Sequence, residues 1–70
     1  MDELSIASVV LAESEQRKYG FHARFRENKS LPSFEIRTAN GQLEIAAPNA
    51  VEYLYGTYDC AERFFRMGFF

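Results

Sequence analysis

The chain has 70 residues, a net charge of −2 and 47% hydrophobic residues, with seven Phe and four Tyr. This is one small domain, residues 1–70, too short for a second core and too apolar to stay disordered. A single cysteine excludes an internal disulfide, and no apolar run reaches the roughly 20 residues of a membrane span. No cofactor or metal is expected, because Cys60 and His22 are the only soft ligands. Charges of both signs alternate along the chain, which argues against a nucleic-acid partner. The start, Met1-Asp2-Glu3, is acidic where a secretion leader would be basic, and the compartment stays open.

The first element is LSIASVVLA, residues 4–12. Its short β-branched run predicts a strand; a buried helical stretch is the alternative that periodicity does not separate. ESEQRKYG follows as a loop or a single helical turn ending in Gly20. FHARFRE then alternates, with Phe21, Ala23 and Phe25 on one face and His22, Arg24 and Arg26 on the other, which predicts a half-buried strand. NKSLP is a turn cluster.

SFEIRTANGQLEIAA carries the clearest local signal. Asn40-Gly41 is a preferred two-residue hairpin turn, since both positions need positive φ. Setting Ala39 opposite Gln42 brings Thr38 to Leu43, Ile36 to Ile45 and Phe34 to Ala47 on one face. The same register pairs Arg37 with Glu44 on the other face, an opposite-charge cross-strand pair. The last element, NAVEYLYGTYDCAERFFRMG, opens on Asn49 as N-cap with Glu52 three residues on, and Gly68 stands where a helix would end. Asp59 with Arg63, and Glu62 with Arg66, are i,i+4 pairs.

The predicted order is strand, strand, hairpin, helix. It describes an α+β two-layer sandwich: a small antiparallel or mixed sheet of three or four strands with one C-terminal helix packed on one face. On a helical wheel, Ala50, Thr57, Ala61, Leu54, Phe64 and Phe65 collect on one side. The whole apolar arc covers roughly 200°, wider than the stripe of about 100° that one contact face needs. Ala50, Thr57 and Ala61 are expected to sit on the sheet. Gly56 lies at the boundary, as clearance for a second neighbour. Tyr53, Gly56, Cys60 and Met67, with the terminal Phe69 and Phe70, form the candidate interface. Two terminal phenylalanines point to a chain cut in front of another domain or to an oligomer that covers them.

Three sets of residues are weighed for chemistry. His22, Arg24 and Arg26, with Arg37 near, could meet an anion, but Glu27, Glu35 and Glu44 balance them as a solvated sheet face. Cys60, mid-helix on the apolar side, reads as a core residue and not a nucleophile. Asp59 and Glu62 lie among arginines on a charged outer face, unlike a catalytic carboxylate pair. No catalytic residue is assigned.

The segment SFEIRTANGQLEIAAPNAVEYLYGTYDCAERFFRMGF resembles the small α/β domain that precedes the catalytic barrel in β-hexosaminidases, α-glucuronidases and related glycoside hydrolases. The matching positions are Ile36, Leu43, Ile45, Asn49, Leu54, Tyr55, Gly56, Tyr58, Glu62 and Gly68. That family also places an amphipathic helix between its early strands, for which ESEQRKYG is too short. The resemblance implies a non-catalytic accessory domain that packs against a barrel. Two alternatives remain: a small self-associating protein, and a double-stranded-RNA-binding module. The second requires residues 4–17 to be helical and the last helix to begin basic; it begins Asn49-Ala50-Val51-Glu52.

Overall fold

The computed structural model describes residues 3–64. Helix α1 spans Glu3–Tyr19, strand β1 Ala23–Glu27, β2 Glu35–Ala39, β3 Gln42–Ala47 and helix α2 Ala50–Phe64. The fold is α+β, as the sequence predicts, with two helices where one was expected.

The correction lies at the N-terminus. Residues 4–12 are not a strand, and ESEQRKYG is not a loop; together they form α1. Its end explains why the polar half stays helical. Gly20, at φ 78°, takes the left-handed position after the helix. The Gly20 N–H donates to Arg17 O (3.1 Å) and the Phe21 N–H to Gln16 O (2.9 Å), the paired bonds of a Schellman cap. Glu3 in the first turn and Arg17 and Lys18 in the last oppose the helix dipole in the favourable sense.

The sheet is mixed and ordered β1-β3-β2. β2 and β3 form the expected hairpin, with Asn40 at φ 54° and Gly41 at φ 74° in the turn. Its register is the predicted one, including Ile36 opposite Ile45 and Arg37 opposite Glu44. β1 instead runs parallel to β3, from Ala23 opposite Leu43 to Glu27 opposite Ala47. The link 28–34 therefore skips one place, which β3 later fills. The Asn28 N–H fixes the start of this link by donating to Ala47 O at 2.8 Å.

The core is built from Ala12, Ala23, Ile45, Ala47 and Tyr53, with Val9, Phe21, Phe25, Phe34, Ile36, Leu43 and Leu54 around them. Six of the nine buried apolar residues among those described are alanines, so the core contains few large side chains. α2 starts as predicted: Asn49 Oδ1 accepts from the Glu52 N–H at 2.9 Å. It meets the sheet through Tyr53, whose ring stacks on Phe25 at 4.4 Å between centroids.

Candidate functional site

Of the predicted interface, Tyr53, Gly56 and Cys60 are buried within the chain. Met67, Phe69 and Phe70 lie outside the described residues. Gly56 does provide clearance, but for the sheet: a Cβ there would stand 2.7 Å from Ile45 Cγ2 and 3.2 Å from the Phe34 ring. Thr57, expected against the sheet, faces α1 instead, where Gln16 reaches it.

Gln16 is the residue that the sequence did not single out. It is 1% exposed, and its carboxamide ties three elements together. Nε2 donates to Tyr53 Oη (2.8 Å) and to Thr57 Oγ1 (3.2 Å) on α2. Oε1 accepts from the Ala23 N–H (3.0 Å) at the start of β1. Tyr53 Oη in turn donates to Ala23 O (3.2 Å), which closes the ring. The signal for it was the i,i+4 spacing of Ser8, Ala12 and Gln16, the three buried residues of α1.

That spacing gives α1 a small and mostly polar buried face, with Val9 partly buried beside it. Its inner face carries a serine, an alanine and a glutamine, whereas Leu4, Ile6, Val10 and Leu11 on the outside are each half or more exposed. Ordinary amphipathic helices do the opposite. Tyr55 and Tyr58 on α2 are also exposed, at 52% and 43%. Large aliphatic side chains gathered outward on one helix mark an interaction surface more than single exposed leucines do.

The other face of the sheet is charged. In one row across the strands, Arg24 stands opposite Glu44 and Glu44 opposite Arg37; in the next, Arg26, Ala46 and Glu35 line up. Glu44 is 8% exposed, and its Oε2 lies 3.8 Å from Arg26 Nη1 and 4.0 Å from Arg37 Nε. Arg37 also pairs with Glu35 at 3.5 Å. His22 is not in this set; it lines a recess with Glu13, Gln16, Arg17 and Phe21 beside the end of α1. Asp59 pairs with Arg63 at 3.2 Å, as predicted, while Arg66 lies outside the described residues. Among the described residues no group of three or more His, Cys, Asp or Glu side chains is placed to hold a metal ion.

Burial pushes the Cys60 thiol above its ordinary 9.0, with Asp59 adding to the shift. Burial likewise raises Tyr53 above its ordinary 10.0, against a lowering from its Gln16 hydrogen bond and with a further rise from Glu13. The neutral forms are thus favoured in the folded state. Their contribution to stability is complete below the ordinary values and is lost as pH rises through the higher folded ones. The melting temperature should hold through neutrality and fall above about pH 9, and Cys60→Ala should move the onset toward the tyrosine range. A level melting temperature across the whole alkaline range would contradict this. Cys60 should also resist thiol reagents until the chain unfolds.

Comparison of the chain with protein-family models, curated proteins and solved structures found no match to any of them.

Proposed function

We propose that this chain is a non-catalytic packing module, which works by laying the outer face of α1 against an apolar protein surface. The exposure of four large aliphatic side chains on α1 carries the proposal. Leu4, Ile6, Val10 and Leu11 would each lose apolar surface to water contact on docking, at about 25 cal/mol for every Å² covered. In its accessory-domain form the partner is the catalytic barrel of a carbohydrate-active enzyme. That form is supported by the resemblance carried by Ile36, Leu43, Ile45, Asn49, Leu54 and Gly56. The described surface offers the interface at α1 in place of the α2 edge. Self-association is the second form, and the same four side chains serve it. A double-stranded-RNA module gains the required helix-strand-strand-strand-helix order, but α2 carries Glu52 in its first turn, which repels phosphates.

Photo-crosslinking in the native cell separates these. A photoreactive side chain at position 6 or 10 should capture a protein that one at position 29, on the far loop, does not. Capture of a barrel enzyme supports the accessory form; capture of a second copy selects self-association. Equal capture at all three positions, or none at 6 and 10, overturns the packing module.

A further inference from the structure

The charged sheet face has a feature that ion pairing does not absorb. Arg37 is engaged by two carboxylates, and Arg26 by Glu44 alone at 3.8 Å. Arg24, although its Cα stands directly opposite that of Glu44, makes no ion pair among the described residues. Glu44 Oε2 is covered and accepts no hydrogen bond. The carboxylate is more deeply buried than Arg26 and Arg37, whose side chains are half or more exposed.

At the hairpin end these groups border a depression of about 220 Å³, lined by Arg24, Arg26, Ala39, Asn40, Gln42 and Glu44. Two guanidinium groups and two carboxamides supply N–H donors there. The formal charge of the lining is +1, from Arg24 and Arg26 against Glu44, within a chain of net charge −2. Asn40 belongs to a hairpin turn whose backbone is set by two positive φ values, which places its Cα at the edge of the depression. Ala39, with only a methyl group, leaves the floor open.

We propose that this depression is a binding site for a compact oxyanion, a phosphate or carboxylate group of a small molecule. Arg24 is its principal ligand, Arg26 the second, and the Asn40 and Gln42 carboxamides donate from the rim. Arginine forks fit such groups with two parallel N–H donors. Glu44 stays with Arg37 beneath, and its negative charge limits the site to modest affinity. The site is independent of the outer face of α1 and of the packing role proposed for it.

The test is an NMR titration of the whole chain, following the Arg24 Nε–H and the Asn40 and Gln42 side-chain amides. The probes are inorganic phosphate, phosphoserine, acetate and a short single-stranded oligonucleotide, at constant ionic strength. Saturable shifts confined to these groups are expected, and the stronger of phosphoserine and acetate identifies the oxyanion. Arg24→Gln should weaken binding about tenfold, while Lys29→Gln on the far loop leaves it within about twofold. Shifts that chloride reproduces, or that spread equally to Arg17, Lys18 and Lys29, overturn the site. Tighter capture of the oligonucleotide than of phosphoserine overturns the small-molecule assignment in favour of a polyphosphate backbone.

Discussion

Gln16→Leu lowers the stability of the folded chain by about 2–4 kcal/mol. Leucine is of similar size but has no polar atoms, so the Ala23 N–H loses its acceptor and Thr57 its donor in a buried site. An orphaned buried polar group costs about 1–3 kcal/mol. Tyr53 Oη keeps its bond to Ala23 O but is no longer held from the α1 side. For a domain of this size each kcal/mol moves the melting temperature by roughly 4–8 °C, so a fall of 10 °C or more is expected in a thermal melt. Gln16→Glu adds a pH signature. Its carboxylate can still accept from Ala23 but cannot donate to Tyr53 and Thr57, and burial would raise its pKa. The variant should be least damaged in acid and lose stability as pH rises through that raised value. A Gln16→Leu protein that melts with the wild type would show that the ring of hydrogen bonds contributes nothing net.

Gly56→Ala is the second large effect, and its sign is informative. In an exposed helix the change would gain about 1 kcal/mol. Here the new methyl would meet Ile45 Cγ2 at 2.7 Å, with Phe34 at 3.2 Å behind it. Ile45 is fully buried in the central strand and cannot swing aside. Overpacking of this kind costs about 1–3 kcal/mol, so a net loss of up to about 2 kcal/mol is expected in the isolated chain, with no partner present. Ile45→Leu removes the opposing Cγ2 methyl from the β-carbon, so the two substitutions should be less damaging together than their sum predicts. Additive effects in that cycle, or an alanine variant that denatures later than wild type, would remove the close approach of α2 as the reason for this glycine.

These two residues also show where the sequence was readable. The hairpin was legible because turn chemistry, alternation and the Arg37–Glu44 pair all specify one register. The start of α2 was legible because Asn49 caps it through a local bond. Both signals lie within a few residues of each other. α1 is not legible because the short β-branched run of residues 4–12 suits a strand as well as a helix, and the residues that α1 buries, Ser8, Ala12 and Gln16, are small or polar. Around α2 the wheel placed Gly56 at the edge of an apolar arc but not the neighbour beside it. Which of two neighbours a helix edge meets depends on the parallel pairing of β1 with β3 and on the presence of α1, and neither is encoded locally. The arginine face was half legible. Alternation puts Arg24 and Arg26 on one side, but only the three-strand register shows Glu44 between the arginines, paired with Arg26 and Arg37 and, among the described residues, not with Arg24.

The strand order β1-β3-β2 has a consequence in time. β1 leaves the ribosome before β2, yet its only strand partner is β3, which is made last of the three. Until residues 42–47 are available, β1 has nothing in the sheet to pair with. The β2–β3 hairpin is local and can close within microseconds, and its outer edge then offers the template on which β1 docks. Docking must also join α1 to α2 across the Gln16 ring, whose bonds have the longest sequence separations among the side-chain hydrogen bonds of the described residues. The sheet is therefore assembled from its C-terminal hairpin backwards, and a chain released before Ala47 would have an incomplete central strand.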